Sequence, residues 1–376
     1  MPSRMPLAVP PTVAAAAGGA AVGAAGYFVR QILTPEPPVD DLPVLAIDGD
    51  RIVLARTEES VAPGRYGLWQ NGFQTHARLG EVLEVGDREV VRELDGVDFG
   101  TLDAAPARMN GYYFCGPPST PLGVELRDAV LDPPLGPMPA WLAEAPGSNR
   151  WAVLVHGRGA QRGECLRAMR TLHALGINCL IPSYRNDIGA PASRDGRYHL
   201  GLSEWEDVEA ALLYAVERGA REVQLFGWSM GGAVVLQLLD RSWLADVVTR
   251  VVLDAPVVSW PAVFDFHAGL NNLPRPIDRL GQLLMRSPLH RVVAGLGERL
   301  DLRRTDWVAR SGELRVPILL IHSAVDEFVP FAPSAALAAA RPDLVRLERW
   351  NVARHCREWN VDPARWERLV AEFCSG

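Results

Sequence analysis

Lysine is absent from the 376 residues, so all 38 basic side chains are arginine. Schiff-base lysine chemistry is therefore excluded, and with it pyridoxal-phosphate and class I aldolase mechanisms. A phosphate-binding P-loop is excluded too, because that motif needs its lysine. Cysteine is scarce: Cys115, Cys165, Cys179, Cys356 and Cys374 are scattered, with no CxxC pair and no zinc-ligand spacing. That pattern excludes a disulfide framework. No repeat of 20–50 residues is present. Basic residues are outnumbered, 38 against 45 acidic, for a net charge of −7. A basic nucleic-acid-binding face is therefore not expected. With 48% apolar and 22% charged residues, the chain is neither disordered, collagen-like nor a coiled coil. Its length suits one large or two modest domains.

What is present begins with a stretch from Leu7 to Val29 that carries no charged side chain. Its length matches a membrane-spanning helix, which needs roughly 20 apolar residues. Ala and Gly dominate it, however. The expectation is an N-terminal membrane anchor. A cleaved signal peptide and a soluble helix or flexible tail are the alternatives, which would place the protein outside the cell or in the cytoplasm. Pro35, Pro37, Pro38 and Pro43 then make a stiff linker, so residues 1–43 stand apart from the rest.

From Val44 the pattern becomes short apolar runs with turns such as Asp48-Gly49 and Gly86-Asp87. These are hairpin signals, and they predict a small β-rich module over residues 44–123. It holds no catalytic constellation, and His76 reads as structural or exposed. From about Val124 strands alternate with helical segments. Leu126–Leu131 and Pro139–Ala143 read as a hairpin, and Trp151–Val155, Glu222–Phe226 and Ile318–Ile321 as buried strands. Ser203 with Glu206 reads as a helix-capping box. The alternation predicts an α/β fold over residues 124–376: a doubly wound, mainly parallel sheet with its functional atoms at the carboxyl ends of the strands. Between Pro256 and Leu314 no strand is legible, and a structureless loop of that length is improbable. A helical insertion over about 257–313 is expected there, placed as a lid.

The sharpest motif is Gly227-Trp228-Ser229-Met230-Gly231-Gly232, after one strand and before a helix. GxSxG in that setting lifts a serine hydroxyl above the sheet, and the Met230 N–H then faces a developing oxyanion. His156-Gly157-Arg158-Gly159 follows Trp151–Val155 and offers the Arg158 N–H as a second oxyanion donor. His156 itself reads as a structural residue bonded to that turn. Asp326 lies five residues past Ile321, where a carboxylate can orient an imidazole. His355 follows the strand Leu344–Leu347. The chain order is Ser229, Asp326, His355. Asp254, at the end of Arg250–Leu253, is the alternative acid. Arg185 is expected to pair with Asp187 or Asp195.

On these motifs the chain resembles the α/β-hydrolase superfamily over about Val124–Phe373. It looks closest to actinobacterial hydrolases of the serine aminopeptidase-like and dienelactone hydrolase-like type. The resemblance implies an eight-strand core with Ser229 as nucleophile, Asp326 as acid and His355 as base. It says nothing about the β-rich module. The function expected is a serine hydrolase that cleaves a carboxylic ester through an acyl-enzyme, with a small-molecule acyl substrate and no metal or organic cofactor. Peptidase, acyltransferase and non-catalytic binding roles are the alternatives on the same fold. No oligomeric state follows from these residues.

Overall fold

The computed structural model describes residues 11–117 and 122–375, and their strands form two separate sheets. The first is a closed barrel of β1 (Leu42–Asp48), β2 (Arg51–Ala55), β3 (Tyr66–Gln70), β4 (Thr75–Val85), β5 (Glu89–Phe99) and β6 (Pro106–Asn110). The turns at Gly49 and Gly86 reverse the chain as the sequence predicts, and Gly49 takes a φ of 59°. Alternation along the strands buries Ile52, Leu54, Leu68 and Leu79 inside. Pairing of Leu42 with Ala107 closes the ring, so the barrel has no free strand edge. Arg92 is fully buried and donates to the carbonyls of Ser60, Ala62, Gly64 and Gly80. It therefore pins the 60–64 loop to the barrel without any carboxylate. His76 is buried and structural: it bonds Asp98 at 2.7 Å and the Tyr112 carbonyl at 3.0 Å.

The second sheet holds β7 (Arg127–Leu131), β8 (Met138–Ala143), β9 (Arg150–Val155), β10 (Asn178–Pro182), β11 (Glu222–Trp228), β12 (Val248–Asp254), β13 (Ile318–Ser323) and β14 (Val345–Trp350). Its order is β14-β13-β12-β11-β9-β10-β8-β7. Strands β9 to β14 run parallel, and the β7–β8 hairpin joins antiparallel to β10. Strands β9, β11 and β13 are buried almost throughout, because helices cover both faces and continuous apolar runs satisfy both.

The helices are α1 (Pro11–Leu33), α2 (Met169–Ala174), α3 (Trp205–Glu217), α4 (Met230–Arg241), α5 (Trp260–Leu270), α6 (Arg275–Arg286), α7 (His290–Val293), α8 (Phe331–Ala340), α9 (Glu358–Val361) and α10 (Pro363–Ser375). The expected capping box fails: α3 starts at Trp205 with Glu204 at its N-cap. The Ser203 hydroxyl is instead taken by His199 and Glu298. Arg185 pairs with neither expected acid; its guanidinium grips Asp207 at 2.7 Å and Glu206 at 3.0 Å, one α3 turn that packs behind it. All five cysteines are buried, and none forms a disulfide among the described residues.

Between β12 and β13 the chain is helical, through α5, α6 and α7. Helix α1 packs on this insertion, and the membrane-anchor expectation for residues 7–29 is not supported. Among the described residues no helix is long and apolar enough to cross a membrane; residues 7–10 lie outside them. Ala and Gly serve close packing instead. A Cβ on Gly26 would stand 2.9 Å from the Val293 carbonyl oxygen, and one on Gly281 2.8 Å from Val29. Phe28, Val29 and Leu33 are buried, and Phe28 meets Phe264 edge-on at 5.9 Å. Arg30 donates to the carbonyls of Val292 and Val293 at 2.8 Å each, satisfying the end of α7. The Arg158 Nη2 donates to the carbonyls of Gln31 and Thr34, tying the linker to the second sheet.

Candidate active site

Every expected site residue lies beyond a carboxyl end of the parallel strands. Ser229 joins β11 to α4 with a φ of 51° and a ψ of −118°. A non-glycine residue held there stores strain of about 1–3 kcal/mol. Its glycine neighbours are forced: a Cβ on Gly227 would lie 2.7 Å from the Gly231 carbonyl, and one on Gly231 2.2 Å from that of Val155. Met230 opens α4, so its N–H is among the helix's unpaired first donors. Arg158 lies in the turn after β9, beside Gly157, whose own N–H donates to buried Glu164 at 2.7 Å. His156 is structural as expected, bonding Asp187 at 2.9 Å.

The Ser229 hydroxyl donates to His355 Nε2 at 2.9 Å. On the far side, His355 Nδ1–H donates to Asp326 Oδ2 at 2.7 Å. Asp254 is elsewhere: it is buried and accepts from the Trp366 indole N–H at 2.7 Å. Burial works to raise the Asp326 pKa, but His355 and His322 outweigh it, and the carboxyl is held well below its ordinary range. Burial works to lower the His355 pKa; the Asp326 charge outweighs that, and the imidazole is held above its ordinary value.

Three partners were not singled out in the sequence. His322 on β13 lies 3.2 Å from Asp326 Oδ2 and 2.8 Å from the Ser334 hydroxyl, so it braces the carboxylate. The i, i+4 spacing of His322 and Asp326 was the available signal. Glu327 accepts the His355 backbone N–H at 3.2 Å and pairs with Arg354 at 2.8 Å. Phe328 stacks on the His355 ring at 5.7 Å.

Beneath the site, Glu358 and Asp254 form a buried acid pair. Burial first, and the Asp254 charge next, push Glu358 well above the carboxylate range. Burial also raises Asp254, against the pull of Arg167, Glu358 and Trp366. The folded pair therefore keeps a proton that the unfolded chain releases above about pH 4.5. Between those two pKa values, rising pH removes about 1.4 kcal/mol of stability per unit. Glu358→Gln supplies the same donor without titrating, while its oxygen still takes the Ser323 N–H. Melting scans should show the variant gaining on the wild type from pH 5 to pH 8; a variant that holds level or loses ground as pH rises would refute the shared proton.

Two cavities meet at Ser229 and His355. One, of ≈ 400 Å³, is walled by α1 and α5 through Phe28, Ile32, Trp260 and Val263 and is largely apolar. The other, of ≈ 250 Å³, is walled on one side by the barrel and its exit strand, through Ala62, Tyr66, Met109 and Tyr112.

A model of the Alpha/beta hydrolase family matches residues 152–373, more than half of the chain. The chain belongs to the alpha/beta hydrolase family. The expectation of a hydrolase enzyme on this fold stands. A second model, Domain of unknown function (DUF8805), matches residues 43–110, the barrel. This hydrolase is 28% identical over 239 residues to a pimeloyl-[acyl-carrier protein] methyl ester esterase of Aromatoleum aromaticum, covering 54% of this chain and 90% of that one. Its fold is similar to the Pyrococcus furiosus esterase Pf2001, with a TM-score of 0.51 at 18% identity, covering 67% of this chain and 92% of that one. A second crystal form of that esterase gives a TM-score of 0.50 at 18% identity, covering 67% and 91%.

Proposed function

We propose that this protein hydrolyses a carboxylic ester through an acyl-enzyme. Ser229 attacks the carbonyl carbon while its proton passes to His355, and Asp326 steadies the imidazolium. The oxyanion accepts from the N–H groups of Met230 and Arg158. His355 then gives its proton to the departing alcohol, and next takes one from the water that attacks the acyl-enzyme. The carboxylic acid leaves and Ser229 is restored. No metal or organic cofactor takes part in this scheme. The observation that carries the reading is the unbroken Ser229–His355–Asp326 chain, at 2.9 and 2.7 Å. The name of the Aromatoleum aromaticum relative supports an ester as the substrate.

In this reading the chain has three parts: residues 1–43, a barrel module over 44–123, and the hydrolase over 124–376. Helices α5 to α7, with α1 laid on them, act as the lid, and the acyl chain enters the apolar cavity beneath. A fluorophosphonate probe tests the nucleophile: stoichiometric labelling of the full chain is expected, and its absence would overturn the reading. A p-nitrophenyl ester series with acyl chains of increasing length then tests the cavity.

The pH profile follows from His355. The base must be neutral to accept the serine proton, and Asp326 holds its pKa up. The acid limb of kcat/KM should therefore have its midpoint above about pH 6.5. A midpoint below that value would count against His355 as the base.

A further inference from the structure

The barrel-side cavity has chemistry that the proposed reaction leaves unused. Most of its charges are already committed. Arg354 pairs with Glu327 at 2.8 Å and with Glu58 at 3.6 Å. Glu164 takes the Gly157 N–H and lies 3.6 Å from Arg167. Arg158 spends its Nη2 on the carbonyls of Gln31 and Thr34. Glu59 is exposed at the rim. Arg357 differs: it is half-buried, it lines this cavity with Ser229 and His355, and among the described residues its guanidinium has no hydrogen bond or ion pair.

The barrel positions that guanidinium. A Cβ on Gly111, just past β6, would stand 2.5 Å from Arg357 Nη1, so the guanidinium lies directly against the exit of the barrel. Asn360, three residues beyond Arg357, donates its amide to the carbonyls of Arg65 and Gly111, and the Arg65 N–H returns a bond to the Asn360 carbonyl. The segment that follows His355 is thus bolted to the barrel, and Arg92 holds the 60–64 loop that forms the facing wall. An unpaired, half-desolvated guanidinium beside a reacting serine is matched by a carboxylate, which it can bind with two parallel hydrogen bonds.

We propose that the barrel is the substrate-selecting wall of this active site and that, with Arg357, it receives a carboxylate on the leaving-group side of the ester. This rests on the ester-hydrolase reading, with the acyl chain in the opposite, apolar cavity. The test compares 4-carboxyphenyl butyrate with its neutral isostere, 4-carbamoylphenyl butyrate, on the full chain. The wild type should prefer the carboxylate by about tenfold in kcat/KM, expressed in KM, the scale of a charge-assisted hydrogen bond at a partly exposed site. Arg357→Gln should bring that ratio near one, and Arg357→Lys should retain part of it. Ala62→Val, which narrows the barrel wall without changing charge, should raise KM for both aryl esters relative to methyl butyrate.

Calorimetric titration of both aryl esters into Ser229→Ala reads the same preference without turnover. A binding preference with no turnover in the wild type rejects the esterase reading alone. Turnover with a ratio near one in the wild type, or a ratio that survives Arg357→Gln, rejects the carboxylate site alone. A preference for 4-(aminomethyl)phenyl butyrate overturns the proposal in favour of Glu59, and an Ala62→Val variant with unchanged KM values overturns the barrel's part. Absence of both binding and turnover rejects both readings.

Discussion

Ser229→Ala is expected to cut ester turnover roughly 10⁴–10⁶-fold. The hydroxyl is the atom that forms the acyl bond, and no other side chain in the Ser229–His355–Asp326 chain can replace it. What survives would come from the oxyanion donors and substrate binding alone. Stability should change little, because alanine keeps the Cβ and the same φ of 51°. The lost hydrogen bond is worth only about 0.5–1.5 kcal/mol. Ser229→Gly should be equally inactive but more stable than Ser229→Ala, because glycine relaxes the positive φ. Steady-state kinetics and melting curves on the two variants check this. Residual activity above a few per cent of wild type would assign the chemistry to another group.

Deleting residues 1–33 should lower both stability and selectivity. The deletion exposes the surfaces that Phe28, Val29 and Leu33 cover, side chains whose burial is worth about 1.5–3 kcal/mol each. It also frees the carbonyls of Val292 and Val293 and opens the apolar cavity along Phe28 and Ile32. The melting temperature should fall by several degrees, and kcat/KM on esters with longer acyl chains should fall about tenfold relative to acetate esters. A segment that only tethered the enzyme to a membrane could be removed without touching either quantity. Unchanged melting and chain-length preference in the shortened protein would therefore refute the part given to α1.

The parallel sheet and the serine, acid and histidine positions were legible because each rests on local chemistry. Gly227 and Gly231 are demanded by a turn whose neighbours lie within 3 Å. Asp326 and His355 each follow a strand, β13 and β14, by a few residues. Asp254 shared that signal with Asp326. Only the three-dimensional placement separates them, since Asp254 meets the Trp366 indole, 112 residues away. The destination of α1 was not legible for the same reason. Twenty-three residues rich in Ala and Gly fit a lipid-facing helix by length, yet they also fit close approach to another helix. Which one applies depends on Gly281 and Val293, far along the chain. Arg185 was misassigned for a related cause: nearby Asp187 and Asp195 compete with Asp207, and the fold delivers the last.

The separation between α1 and its partners has a consequence for synthesis. Arg30 finds its acceptors 262 and 263 residues later in the chain. At a translation rate of about 5–20 residues per second, the apolar face of α1 waits roughly 13–50 s for α7 to emerge from the ribosome. The barrel, whose strands all fall between residues 42 and 110, has no such delay. The order of birth is therefore barrel first, then strands β7 to β12, then α5 to α7 with the docking of α1, and β13 and β14 last. Throughout that interval the nascent chain carries the uncovered apolar face of Phe28, Val29 and Leu33, a surface that a chaperone could hold during the chain's own production.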